Sequence, residues 1–101
     1  MKFYLIIFLF VLGCTQASAQ KKYTISGYIK DSLNGETLIG AAITVQGQAK
    51  GISSNLYGFY SITLDEGDYT LICSFIGYRY KAVSLKLTAD TRINFEVLPK
   101  I

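Results

Sequence analysis

The stretch from Gly58 to Tyr78, GFYSITLDEGDYTLICSFIGY, constrains the fold more than any other part of the chain. Tyr60, Ile62 and Leu64 fall at every second position, and Tyr69, Leu71, Cys73 and Phe75 do so again after a polar interruption. A period of two puts alternate side chains on one face of an extended strand, so both runs read as strands buried on one side. Asp65-Glu66-Gly67 between them has turn composition, and glycine there supplies the positive φ that a short hairpin loop demands. The stretch is predicted to be a β-hairpin at the centre of a small antiparallel β domain. The rest of the chain pairs with it or packs over it.

Half of the 101 residues are apolar, and the N-terminus inflates that share. Met1-Lys2 gives a positive start, Phe3 to Leu12 an apolar run of ten, and Ala17-Ser18-Ala19 a small-residue A-x-A site. As a helix the run would extend about 15 Å, half of a hydrocarbon core of about 30 Å, so no permanent transmembrane helix is expected. Residues 1–19 read as a signal peptide cut after Ala19, with the mature chain beginning at Gln20. A rival reading takes Val11-Leu12-Gly13-Cys14 as a lipobox that would anchor the chain through Cys14, although leucine before the glycine matches poorly. After cleavage at Ala19 only Cys73 remains, so no internal disulfide can form, and its phase with Leu71 and Phe75 makes it a small buried hydrophobe.

The mature region continues the β pattern. Tyr23 to Lys30 reads as a first strand with Ile25, Gly27 and Ile29 on one face, Gly27 marking a bulge or the close approach of another backbone. Asp31 to Glu36 is turn chemistry around Asn34-Gly35, after which Leu38 and Ile39 are predicted to plug one end of the core. Short strands follow at Gly40 to Val45 and Ile52 to Ser54, separated by a turn between Gly47 and Gly51. Beyond Tyr78, Val83, Leu85 and Leu87 point inward, Ala89-Asp90-Thr91 turns, and Ile93, Phe95 and Val97 form a last strand. Pairing is expected to end at Pro99, which lacks a donor. Six or seven short strands without a helical period indicate an all-β antiparallel sandwich, with Tyr60, Tyr69, Phe75 and Phe95 filling its interior.

The order of these residues resembles a known family. Gly27 and Asp31, then Gly35-Glu36 with Leu38-Ile39-Gly40-Ala41, Val45 and Gly47, then Gly51, Gly58, Tyr60, Gly67, Tyr69 and Ser74-Phe75-Ile76-Gly77-Tyr78 follow the pattern of the carboxypeptidase regulatory-like domain. The form is the one that precedes the plug of SusC-type TonB-dependent outer-membrane receptors, and the resemblance spans residues 20–100. Thr37, Ser54-Asn55 and Asp65 depart from the family's proline, Thr-Asp pair and proline, all in turns. The resemblance implies a transthyretin-like (prealbumin-like) sandwich of about seven strands. It also implies a place on the periplasmic face of the outer membrane, with the receptor plug and barrel or other envelope proteins as partners.

Chemistry is sparse. The chain has no histidine, which removes Ser-His-Asp and Cys-His constellations and the commonest zinc ligand. Asp65, Glu66 and Asp68 lack calcium-loop spacing and read as solvated turn residues. No phosphate-binding glycine motif occurs. Lys2 is lost with the leader, and the nine remaining Lys and Arg are scattered among seven Asp and Glu, which is no nucleic-acid footprint. No catalytic, cofactor-binding or metal-ligating residue is assigned. Tyr23, Tyr28, Tyr57, Phe59, Tyr78 and Tyr80 either pack locally over sheet edges or offer a rim for a glycan or protein. The expected function is a non-enzymatic accessory domain of a TonB-dependent receptor, here without plug and barrel. The alternative is a free-standing secreted or lipid-anchored binding module.

Overall fold

The computed structural model describes residues 21–101; the leader at 1–19, the cut after Ala19 and Cys14 lie outside the described residues. Among these residues there is no helix. Eight strands follow in order: β1 Lys22–Asp31, β2 Ala42–Val45, β3 Gly51–Ser53, β4 Phe59–Asp65, β5 Gly67–Ser74, β6 Lys81–Leu87, β7 Thr91–Arg92 and β8 Phe95–Val97. They form two four-stranded sheets. One runs β4-β1-β7 with β8 also on β1, and the other runs β3-β2-β5-β6. Pairing is antiparallel throughout except on the far side of β1, where β7 and β8 run parallel to it. Counted as one interrupted strand, β7 and β8 bring the total to seven.

The two central runs are strands, as their alternation requires, but they are not a hairpin. β4 pairs with β1 from Lys22 opposite Asp65 to Tyr28 opposite Phe59, whereas β5 lies between β2 and β6 in the other sheet. Asp65-Glu66-Gly67 therefore carries the chain across the sandwich. Its backbone groups are used accordingly: the Glu66 N–H donates to the Lys21 carbonyl (2.9 Å) and the Tyr69 hydroxyl donates to the Asp65 carbonyl (2.7 Å). Gly67 has no positive φ, because a crossover of this kind does not need the mirror-image turn that joins two neighbouring strands.

The core lies where the inward faces meet. Ile25 and Ile29 of β1 and Tyr60, Ile62 and Leu64 of β4 face Ile43 and Val45 of β2 and Leu71 and Cys73 of β5, all fully or almost fully buried. Phe95 stacks at a tilt against Tyr60, 5.7 Å between centroids. Burying one large apolar side chain in this way is worth about 1.5–3 kcal/mol. Tyr69 and Phe75 are only partly buried and pack against this cluster rather than within it, because Tyr69 lies near the start of β5 and Phe75 just beyond its end. Leu38 is buried as expected, but Ile39 is exposed, since neighbouring residues of an extended segment point opposite ways.

Gly27 marks a backbone crossing. A Cβ at this position would lie 2.0 Å from the Ile93 carbonyl oxygen and 2.8 Å from the Asn94 Oδ1. The chain uses that proximity. Ile93 donates its N–H to Ser26 O (2.9 Å) and accepts the Tyr60 hydroxyl, while Asn94 Oδ1 takes the Tyr28 N–H (2.9 Å) in place of a backbone carbonyl. That substitution is why the last strand breaks into β7 and β8. Beyond Val97 the chain does not stop pairing at Pro99. Leu98 accepts the Arg79 N–H and Lys100 donates to the Gly77 carbonyl, each at 2.8 Å, so the residues flanking the proline make the bonds it cannot.

Gly27→Ala is expected to lower unfolding free energy by about 1–3 kcal/mol, because backbone atoms rather than a rotatable side chain must retreat. Gly67→Ala, whose Cβ would meet the Tyr69 ring at an ordinary 3.6 Å, should be neutral or slightly stabilising. Urea denaturation of the two variants beside the parent chain measures the difference, and equal losses would contradict the crossing.

Candidate functional site

Strand direction sorts the connections to two ends of the sandwich. The β2–β3 turn, the β4–β5 crossover and the β6–β7 turn lie at the end where β1 begins. The segment 32–41, the β3–β4 turn at 54–58, the β5–β6 loop at 75–80 and the tail at 98–101 lie at the other. The first end carries Gln46, Gln48, Lys50, Asp65, Glu66 and Asp90. Every large exposed hydrophobic residue among those described belongs to the second: Leu33 and Ile39, Leu56 and Tyr57, Ile76 and Tyr80, and Leu98 and Ile101. Ile76, at 94% exposure, and Tyr80, at 77%, are held out almost entirely into solvent. An open groove of about 510 Å³ runs between them, lined by Gly40, Phe75, Ile76, Tyr78, Tyr80 and Lys100 among others.

These loops are fastened rather than loose. Asp31, at the end of β1 and only 4% exposed, is the main tie. Its Oδ1 accepts the N–H groups of Leu33 (2.7 Å) and Asn34 (3.2 Å), and its Oδ2 accepts the hydroxyl of Tyr78 (2.7 Å) from the β5–β6 loop. The phenol hydrogen bond, followed by the Leu33 amide, holds the Asp31 carboxyl below its ordinary value; the same carboxylate holds the Tyr78 phenol above its own. Tyr78 also packs at a tilt on Phe75, 5.7 Å between ring centres. Ser54 forms the second tie. Its buried hydroxyl donates to Leu38 O (2.6 Å) and accepts the Ala41 N–H (2.9 Å), so one side chain closes the segment that precedes β2. Asn55 Oδ1 takes the N–H groups of Tyr57 (2.9 Å) and Phe59 (3.1 Å), fixing the third loop.

The six aromatic residues singled out from the sequence divide. Tyr28 and Phe59 pack edge to face on the outside of their sheet, 5.3 Å apart, and Tyr23 packs against the core. Tyr78 is spent on Asp31 and Phe75. Tyr57 and Tyr80 remain free at the apolar end. Cys73 is fully buried, and burial pushes its thiol up to about 11, which leaves it without thiolate character near neutral pH. Asp65, Glu66 and Asp68 are exposed around the crossover at the polar end, and no group of three or more metal-ligating side chains gathers among the described residues. What the molecule presents is a surface with rigid apolar projections. The ties through Asp31–Tyr78 and Ser54 were not legible as contacts; the only signal was turn composition at both segments.

The profile of the CarboxypepD_reg-like domain matches residues 25–100, from β1 through the tail. The chain belongs to that family. It is 38% identical over 72 residues to TonB-dependent receptor P26 of Formosa agariphila, a match that takes in 71% of this chain and 7% of that protein. It is 32% identical over 83 residues to TonB-dependent receptor SusC of Bacteroides thetaiotaomicron, 80% of this chain and 8% of that one. The chain thus spans less than a tenth of the length of these relatives. Among solved structures, a chain of a type II cohesin–X-dockerin complex from Acetivibrio cellulolyticus superposes with a TM-score of 0.66 at 20% identity, covering 76% of this domain and 58% of that chain. That likeness concerns the β-sandwich alone.

The Asp31–Tyr78 tie sets a pH dependence whose sign is fixed. A depressed carboxyl contributes stability that is whole above the ordinary carboxylate value of about 4 and is lost as pH falls through the lower, folded value. A raised phenol contributes below about 10 and is lost as pH rises through its higher, folded value. Tyr78→Phe should therefore return the Asp31 titration toward the ordinary value and move acid unfolding to higher pH. Carboxyl NMR with circular dichroism across the acid range reads both, and an unmoved Asp31 titration contradicts the tie. Ser54→Ala strands a buried donor and a buried acceptor and should lower unfolding free energy in urea by about 1–3 kcal/mol.

Proposed function

We propose that this chain is a non-enzymatic accessory domain of a TonB-dependent outer-membrane receptor. It would be exported by removal of residues 1–19, leaving a domain over residues 20–100 held at the periplasmic face. Its role in nutrient uptake is structural or docking, with the apolar end set against the receptor's plug or a neighbouring envelope protein. The carrying observation is the match to two such receptors over 71% and 80% of the chain. The fastened apolar loops support the docking part, since large exposed hydrophobics gathered at one end of a domain mark an interaction site. The buried, protonated Cys73 and the lack of any histidine support the non-enzymatic part.

A photo-reactive residue in place of Ile76, with one in place of Lys50 at the polar end as control, tests this in cells. The expected outcome is an adduct from position 76 to an outer-membrane receptor polypeptide, a much weaker one from position 50, and recovery of the chain in the envelope fraction. Recovery in the cytoplasm, or equal adducts from the two positions, would overturn it. The groove beside Tyr80 is also the feature that a free-standing glycan-binding module would use. Saturable binding of oligosaccharides, lost in Tyr80→Ala, together with no receptor adduct, would favour that second reading, and the mass of the mature N-terminus would show whether Cys14 carries a lipid.

A further inference from the structure

A sandwich of two open sheets has four edges, and three of these are short, partly occupied or interrupted. β3 is only three residues long. The Lys50 ammonium donates to Thr63 O (3.0 Å) along β4, and the last edge is broken between β7 and β8. β6 is different: seven consecutive residues, KAVSLKL, with no glycine, proline or bulge.

The direction of its backbone groups follows from register. Gln46 donates its N–H to Thr70 O (2.9 Å), so Thr70 turns its amide groups toward the β2 side. Thr70 stands opposite Ser84. In an antiparallel pair, opposed residues exchange both bonds or neither, so Ser84 directs its N–H and C=O away from β5, and by alternation Ala82 and Lys86 do the same. On the inner face Val83 and Leu85 are only half-buried, whereas Leu87, farther along the strand, is completely buried. The core is thus only partly covered along the strand whose backbone faces outward.

We propose that the β6 edge is a strand-addition site for an extended segment of another protein. That segment carries apolar side chains opposite Val83 and Leu85 and carboxylates opposite Lys81 and Lys86. The charges select the partner. Lysines at both ends of an edge strand deter indiscriminate pairing, while the uncharged middle from Ala82 to Leu85 leaves the ladder itself available. Lys86 already faces Asp68 on β5, and an acidic residue on the incoming strand extends this into an alternating row of charge. Main-chain bonds supply affinity and alternate side chains supply selectivity, as in other cases of strand addition. Strand addition at β6 rests on this domain's own register and charge, so it goes beyond the receptor reading and does not depend on it.

The probe is a fluorescent peptide, Val-Glu-Val-Thr-Val-Thr-Glu, which laid antiparallel with its first residue opposite Leu87 places its acids and apolar residues as described. Added to the purified chain, it should bind saturably and slow hydrogen exchange at the amides of Ala82, Ser84 and Lys86 but not at Val83 or Leu85. A peptide of the same composition with its apolar positions moved by one should bind at least about tenfold more weakly, because such a shift reverses every facing side chain. Ser84→Pro removes an outward donor and should abolish binding with an unchanged circular dichroism spectrum. If that variant does not fold, the charge exchange decides: Lys86→Glu should weaken binding about tenfold, and a peptide with lysine in place of its first glutamate should restore it. Absence of the alternating protection, indifference to the charge exchange, or occupation of the edge by a second copy in sedimentation would each overturn the proposal.

Discussion

Two backbones touch at Gly27, and much of the sandwich is arranged around that contact. Because residue 27 has no Cβ, the Ile93 carbonyl can approach where any other side chain would stand. The same carbonyl receives the Tyr60 hydroxyl, which burial keeps protonated well above the ordinary tyrosine value. Asn94 is thereby placed to take the Tyr28 N–H, and Phe95 to lie against Tyr60. A bulky residue at 27 could not be relieved by a change of rotamer, since the nearest obstructing atoms are main chain. The fit between the last strand and β1, and the aromatic pair at the centre of the core, both follow from one missing methyl group.

The same logic separates what the sequence made legible from what it did not. Alternation identified β1, β4, β5 and β6 and the inward residue of nearly every pair, because burial on one face is all that a period of two encodes. It did not encode which strand lies beside which. Tyr60, Ile62 and Leu64 and then Leu71 and Cys73 would alternate identically in a hairpin, where they share one face of one sheet, and in a crossover, where they confront each other from two sheets. β5 has β2 on one side and β6 on the other, so no edge was left for β4. That fact depends on residues as far apart as Ala42 and Ser74 and is invisible in the local run Asp65-Glu66-Gly67.

Gly27 was more informative, since a glycine inside a strand has few explanations and close backbone approach is one of them. The apolar end was half legible. Turn composition located its loops, but the acceptor that orders them, Asp31, reads from sequence as one more turn aspartate. Its second oxygen meets Tyr78, forty-seven residues later. Ser54-Asn55 stands where the family carries a Thr-Asp pair, and the structure makes the departure intelligible. A hydroxyl and a side-chain carbonyl oxygen are what the two positions supply, and either pair of residues provides them.

Fastening matters for what the apolar end can do. Exposed Ile76 or Leu33 on a mobile loop would carry an ordering cost into any complex, and side-chain and loop ordering is a main reason why buried area fails to become affinity. Here the loops bearing these residues are held to one another by the Asp31 carboxylate, and the tail is held to the Gly77 loop by main-chain bonds, before any partner arrives. The same ties keep the projections from folding back onto the domain's own core. Exposed apolar residues are also an aggregation liability, which the molecule limits by confining them to one end. An end that is fastened and apolar is suited to being held against another surface.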